Sequence, residues 1–204
     1  MAFPRRQPRP APEPAPIHHR AAEDLSFIRE TMARAAPFTA VPGWGGLAMG
    51  GTALVAAWVA TRVTTPAEWL AVWLAEAVIA LGIGGVALVR KAQEQPQVLL
   101  TRAGRQFAGN FVPPILAGAV LTPVFYASGH SGHLPGLWLL LYGTAIVTAG
   151  AFSIRPVPIL GACFMVLGTV ALVLAPSYGN GFMALGFGGL QMAFGLLIAR
   201  RYGG

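Results

Sequence analysis

Residues 134–175 read LPGLWLLLYGTAIVTAGAFSIRPVPILGACFMVLGTVALVLA, and Arg155 is the only charged residue among them. The segments Leu134–Ser153 and Val157–Ala175 can each cross the ~30 Å hydrocarbon core of a bilayer, which takes roughly 20 helical residues at ~1.5 Å per residue. Only Ile154-Arg155-Pro156 joins them. This stretch therefore predicts an antiparallel pair of membrane-spanning helices.

Four further apolar segments accompany this pair: Gly43–Thr61, Trp69–Val89, Phe107–Ala127 and Phe182–Ala199. Six spans of about 20 residues occupy about 120 of the 204 residues. The chain is 55% hydrophobic and only 10% charged, whereas soluble domains carry about 25% charged residues. We therefore predict an all-α fold, a polytopic bundle of six transmembrane helices in residues 37–204, which leaves no room for a separate soluble domain.

Lys and Arg are distributed asymmetrically between the loops. Thirteen of the fourteen fall in the N-terminal arm, the second and fourth loops and the C-terminus, and Arg62 is the exception. Basic residues resist transfer across the membrane, so both termini are predicted to be cytoplasmic. The net charge of +7 does not indicate nucleic-acid binding, because the charges lie at the ends of spans and form no patch with interleaved aromatic residues. Anionic lipid head groups are the predicted partner.

The first 36 residues are predicted to form two segments. Residues 1–20 contain alternating prolines and several arginines, a composition that favours a disordered, basic arm. Residues 21–36 are predicted to form an amphipathic cytoplasmic helix with Leu25, Ile28 and Met32 on one face. That face would lie on the membrane surface or pack against the bundle, and the sequence favours neither.

Glu76 is the only acidic residue inside a predicted span, and no span contains Lys or Arg to pair with it. A carboxyl group at that depth costs about 2–3 kcal/mol or more, so it is predicted to be buried within the bundle. One hypothesis makes Glu76 a proton, cation or substrate site, with Asn110 and Gln191 as further polar residues. The other makes it a neutral group that joins helices by a hydrogen bond to Gln191 or Asn110. The sequence leaves both open.

The other candidate sites are weaker. His130 and His133 form an H-x-x-H pair to which Glu68 could add a third ligand, but stable metal sites need three or four ligands, and none is predicted here. Residues 129–132 match the G-x-S-G motif of rhomboid proteases, yet the sixth span lacks the histidine that such a protease uses. Cys163 is the only cysteine, so no intramolecular disulfide is expected. We predict no catalytic residue and no cofactor.

Glycine and proline within the spans predict how the helices pack. Gly46 and Gly50 form a G-x-x-x-G spacing, which lets two backbones approach closely within this chain or in a homo-oligomer. The third span contains Pro113, Pro114 and Pro123, which should kink it. Carbonyls freed by proline need partners inside the protein, so this span is not expected to follow the lipid-facing edge.

Residues 25–32 (LSFIRETM), 38–46 (FTAVPGWGG) and 198–204 (IARRYGG) resemble a group of uncharacterised bacterial six-span membrane proteins. The similarity extends over most of the chain from about residue 21. It implies a bacterial origin and a six-span architecture, and it brings no activity and no site residues.

Three functions remain open from the sequence. The favoured one is a non-enzymatic accessory or regulatory component of the bacterial inner membrane, acting through a membrane-protein partner or as a homo-oligomer. The alternative is a small transporter or channel with a proton- or cation-linked site at Glu76. A lipid-modifying enzyme comes third. An intramembrane aspartyl protease is excluded, because the only aspartate, Asp24, lies before the first predicted span.

Overall fold

The computed structural model describes residues 41–94, 102–151, 153–174 and 176–202, together with Leu25. The chain divides into two units, residues 1–36 and residues 37–204. The proline-rich arm at 1–20 and, apart from Leu25, the helix predicted at 21–36 lie outside the described residues.

Every regular element in the described part of the chain is a helix. The elements are α1 (Gly43–Ala60), α2 (Pro66–Glu94), α3 (Arg102–Ala127), α4 (Leu134–Gly150), α5 (Pro156–Val173), α6 (Gly179–Met183), a π-helix (Ala184–Leu190) and α7 (Gln191–Tyr202). The last three are continuous and belong to the sixth span, Pro176–Tyr202. Six segments are long and apolar enough to cross a membrane, which confirms the predicted all-α, six-span architecture.

The described connections between spans lie at two ends of the bundle. Residues 61–65, 128–133 and 176–178 form what we call the neutral end, where Arg62 is the only Lys or Arg. The opposite, basic end carries five exposed arginines: Arg90, Arg105, Arg155, Arg200 and Arg201. The asymmetric distribution of Lys and Arg along the sequence therefore matches the two ends of the folded bundle.

Thr65 and Glu68 fix the start of α2 at the neutral end. The Glu68 N–H donates to Thr65 Oγ1 at 3.2 Å, and Glu68 Oε2 accepts from the Thr65 N–H at 3.1 Å. This reciprocal pair is the capping box of an S/T-x-x-E sequence. Pro66 follows at the first helical position, where its missing N–H costs nothing. The Glu68 carboxylate is thus engaged by the start of its own helix.

Glycines at heptad spacing bring α4 and α5 into backbone contact. On α4 they are Gly136, Gly143 and Gly150, and on α5 they are Gly161 and Gly168. A Cβ built on Gly143 would lie 2.7 Å from the Gly161 carbonyl oxygen, and one on Gly161 would lie 2.6 Å from the Val147 nitrogen. Only glycine permits that approach. Close packing matters here because the hydrophobic effect does not drive helices together in lipid, so van der Waals contacts must hold the pair.

A second glycine seam joins α1 to the sixth span. A Cβ on Gly50 would lie 2.9 Å from the Gly188 carbonyl oxygen, and one on Gly195 would lie 2.6 Å from the Leu47 nitrogen. A Cβ built on Gly46 would lie 3.3 Å from the Gly195 Cα. The G-x-x-x-G pair of the first span therefore packs within this chain.

The sixth span is the central helix of the bundle. On one side, Gly188 packs against Leu54 of α1; on the other, a Cβ on Gly186 would lie 3.1 Å from both Phe164 and Leu167 of α5. Both glycines lie in the π-helix, whose wider turn alters which residues face each neighbour. Glycine on two opposite sides lets this span contact both groups of helices at close range.

The helices α2 and α3 lie at the periphery. In each of these helices only 11% of the residues in an apolar 18-residue stretch are buried. The corresponding share is 44% in α1 and in the fourth span. Pro113 and Pro123 of α3 are exposed. The expectation that the prolines would keep this span away from the lipid-facing edge was wrong, since α3 is helical throughout Arg102–Ala127 and packs mainly on α4.

A carbonyl that loses its backbone hydrogen bond to proline needs another partner within the protein, and α3 shows one such case. Pro114 has no N–H to offer the Asn110 carbonyl one turn earlier. The Thr148 hydroxyl of α4 lies 3.0 Å from that carbonyl oxygen and is positioned to donate to it. A polar side chain of the neighbouring helix can thus serve one carbonyl that proline frees, in competition with the Thr144 carbonyl oxygen 2.8 Å from the same hydroxyl.

Candidate functional site

Glu76 lies on the side of α2 that packs against α1. Its side chain is 7% exposed, and Glu76 Oε1 lies 2.8 Å from the Thr52 hydroxyl oxygen, within hydrogen-bond distance. Ten residues separate Glu76 from the start of α2, which is about 15 Å along a helix. The pair therefore sits near the middle of a hydrocarbon core about 30 Å thick.

The Thr52 hydroxyl has one proton and two close acceptors, besides the Ala48 carbonyl oxygen at 3.4 Å. Its Oγ1 lies 2.8 Å from Glu76 Oε1 and 2.9 Å from the Met49 carbonyl oxygen. If the carboxyl is neutral, Glu76 donates to Thr52 and Thr52 donates to Met49, so every proton has an acceptor. An ionised carboxylate would take the proton of Thr52 and leave its own charge without a cation in the spans. The geometry thus suits a neutral Glu76.

Asn110 and Gln191 have partners other than Glu76. The Asn110 amide donates to the Gln106 carbonyl at 2.7 Å, and Asn110 is exposed. The Gln191 side chain, 8% exposed, bonds the Tyr142 hydroxyl. Gln191 Oε1 has no hydrogen-bond partner in the described part of the chain, so its Nε2 is the donor. Where the sequence suggested one of these amides beside Glu76, the structure has Thr52.

Asn180 links the sixth span to both α1 and α2. Its Oδ1 accepts from Trp73 Nε1 at 3.3 Å, and its Nδ2 donates to the Ala57 carbonyl at 2.9 Å. Trp73 is 3% exposed and lies one turn from Glu76 on the same side of α2. The Asn180 side chain thus joins three helices.

Aromatic rings fill the centre of the bundle. Tyr142, Phe164 and Phe187 meet with centroids 4.9 to 5.3 Å apart. Trp73 lies 6.5 Å from Phe187 and extends the cluster toward the neutral end. Pairs at these separations add stabilisation beyond their contact area. The sequence did not reveal this cluster, because its members come from four different spans and share no local pattern.

The two histidines of the third loop form no metal centre with the residues described. Their ring centroids are 6.0 Å apart, and His130 Nδ1 lies 3.2 Å from Ser128 Oγ. Glu68 is engaged as the cap of α2. Within the described ranges no group of three or more His, Cys, Asp or Glu side chains could hold an ion.

A cavity of about 280 Å³ opens at the neutral end, where three loops converge. We call it the neutral-end cavity. Its lining comprises Val63, Thr64, Thr65, Pro66, Trp69, Ser131, Gly132, Pro135, Pro176, Ser177, Gly179 and Asn180. Glu76 is not part of this lining, so the buried acid and the cavity are separate features.

Comparison of the chain with protein-family models, with curated proteins and with solved structures found no match. The resemblance to bacterial six-span proteins is not supported by these comparisons. What the chain shares with other membrane proteins is its architecture of six candidate spans.

Proposed function

We propose that the protein is a non-enzymatic accessory or regulatory component of the bacterial inner membrane, acting through a membrane-protein partner. The observation that supports this most is the setting of Glu76. The one acidic side chain in the middle of a span is packed between α1 and α2 and hydrogen-bonded to Thr52, away from the neutral-end cavity. A buried, hydrogen-bonded pair of this kind joins helices, whereas a transport site needs access from water.

The proposal is tested with the intact chain. After affinity purification in mild detergent, we expect a defined membrane protein to co-purify in a fixed ratio. Reconstituted into liposomes with an internal pH dye, the chain should give the same proton leak as a Glu76→Gln variant. A proton or cation flux that disappears in Glu76→Gln would overturn the accessory role.

A small proton-linked transporter is the second candidate, and one observation favours it. Thr52 Oγ1 stands between the Glu76 carboxyl and a backbone carbonyl at hydrogen-bond distance from each. If water reached the pair, the hydroxyl could accept the carboxyl proton and release its own proton to that water. This function would need α1 and α2 to separate enough to admit water to the pair.

The two hypotheses about Glu76 differ in their response to conservative substitution. In Glu76→Gln the amide can still donate to Thr52, so we expect the thermal midpoint in detergent to be nearly unchanged. Glu76→Leu and Thr52→Val should each lose about 0.6 kcal/mol, and at most ~2 kcal/mol. The double variant should lose less than the sum of the two, because both remove the same bond. Equal destabilisation by Gln and Leu would contradict the neutral pair.

We also propose that the basic end faces the cytoplasm, with both termini inside, where its arginines meet anionic lipid head groups. The guanidinium of Arg62, at the neutral end, lies 4.6 Å from the centre of the Trp58 ring. This cation–π contact lowers the cost of one basic residue on the other side.

Cysteine labelling tests this orientation. In a Cys163→Ala background, cysteines are placed singly at Ser128 and Gln93, which are exposed at the neutral and basic ends. An impermeant thiol reagent added to intact cells should label the first and spare the second, and permeabilised cells should show both. Labelling of the second alone would reverse the orientation.

A further inference from the structure

The neutral-end cavity has walls that are held in place by close contacts. A Cβ on Gly132 would lie 2.7 Å from Pro176 Cβ, and one on Gly179 would lie 2.8 Å from Pro135 Cγ. The third loop therefore touches the fifth loop, and α4 touches the start of α6, at two points where glycine is required. On the other side, the capping box of Thr65 and Glu68 fixes the first loop.

The floor of the cavity is equally constrained. The Trp69 ring stacks on Trp138, with centroids 5.8 Å apart and planes 19° from parallel. Asn180 is held by its bonds to Trp73 and to the Ala57 carbonyl. Groups fixed in advance lose little conformational entropy when they bind a ligand, so this cavity is preorganised.

The chemistry of the lining limits what it can hold. Its polar side chains are four hydroxyls and one amide, namely Thr64, Thr65, Ser131, Ser177 and Asn180, and its remaining members are apolar or glycine. No ionisable side chain is among them. A charged ligand would find no counter-charge there and would lose hydration on binding. An uncharged molecule with many hydroxyl groups could form hydrogen bonds with the serine and threonine hydroxyls and with the bonding capacity that Asn180 retains.

The indole of Trp69 adds an apolar surface beside these hydroxyls. A ring with one apolar face and hydroxyl groups around its edge matches that combination, since the face stacks and the edge bonds. The volume of about 280 Å³ lies at the lower limit of small-molecule sites. It is sufficient for a single sugar-sized ring.

We propose that the neutral-end cavity binds a small uncharged polyhydroxy compound of the size of one sugar ring. The ring lies against Trp69, and its hydroxyls bond Ser131, Ser177 and Asn180. This binding site is separate from Glu76, so its test does not depend on the function proposed above. It would let an accessory protein sense a solute on the side of the membrane opposite the basic end.

The test uses the full-length protein in a detergent that has no sugar head group. Glucose and myo-inositol are the uncharged probes, and glucuronate and glucosamine are their charged counterparts. Each is titrated to about 20 mM, because one-ring ligands in open sites bind in the millimolar range. At least one uncharged probe should give saturable changes in tryptophan fluorescence and in thermal midpoint. The charged counterparts should bind at least ~10-fold more weakly, a difference of ~1.4 kcal/mol.

Cavity-filling variants locate the site. Ser177→Phe and Thr64→Phe each place a ring in the lining and should abolish the response. Ser128→Phe at the same end, which is not part of the lining, should keep it. Two filling variants are used so that one remains informative if the other does not fold. A response that survives in a folded filling variant, equal binding of charged probes, or no response to either uncharged probe would overturn the proposal.

Discussion

Gly143→Leu is expected to prevent accumulation of folded protein. At Gly143 even a Cβ would lie 2.7 Å from the Gly161 carbonyl oxygen and 2.7 Å from the Met165 nitrogen. Those atoms are backbone and cannot rotate away as a side chain would. Overpacking in a tight core costs about 1–3 kcal/mol when side chains can adjust, and more when they cannot. Separation of α4 from α5 should follow, with loss of the monodisperse peak in detergent size-exclusion chromatography.

Gly82→Leu is the matched control for that change. It makes the same substitution within a span, but a Cβ on Gly82 meets nothing within 4 Å. The two variants differ only in what surrounds the new side chain, so their comparison isolates the close packing. We expect Gly82→Leu to be as well folded as the parent. If Gly143→Leu were equally stable, the α4–α5 seam would not be as tight as described.

Phe164→Ala is expected to have the second-largest effect. Phe164 is fully buried, and its ring lies 4.9 Å from Tyr142 and 5.3 Å from Phe187. Phe→Ala in a soluble core costs about 3–5 kcal/mol. Here the loss should be about 2–3 kcal/mol, because the unfolded helix remains in an apolar solvent and mainly the packing contacts and the cavity count. The thermal midpoint in detergent measures it.

Phe125→Ala provides the comparison for Phe164→Ala. Phe125 is partly exposed on α3 and does not belong to the central cluster. Its truncation should lower the midpoint by less than half as much as that of Phe164. Similar losses at the two positions would mean that the aromatic centre does not contribute more to stability than the periphery.

The contrast between the two kinds of glycine shows what the sequence could not convey. Gly50 and Gly82 both lie in apolar spans, yet one meets the backbone of the sixth span and the other meets open space. Spacing indicated that Gly46 and Gly50 would permit a close approach, but not to which helix. Gly136, Gly143 and Gly150 recur at heptad spacing along a whole span. Their spacing did not indicate the helix they contact, and the structure shows that they face α5.

Glu76 and the prolines of α3 show the same limit. The sequence indicated a buried acid, since a carboxyl group in hydrocarbon needs protein around it, but named Gln191 or Asn110 as its partner where the structure has Thr52. The prolines suggested an interior helix, yet the Thr148 hydroxyl of one neighbour can serve the carbonyl that Pro114 leaves free. In both cases the sequence correctly indicated that a polar group in the span needs a partner within the protein, but it did not indicate which residue is that partner.

The sequence by itself determined the six spans, the helical class and the separation of basic from neutral ends. These follow from local properties, because a helix satisfies its own backbone hydrogen bonds and its length and hydropathy decide whether it crosses a bilayer. Only the tertiary structure decided that Thr52 meets Glu76, that Asn180 joins three helices, and that three loops line the neutral-end cavity. Those features depend on which faces of the helices meet. Lipid is as apolar as the side chains, so hydropathy cannot indicate those faces, and close packing and hydrogen bonds between distant residues select them.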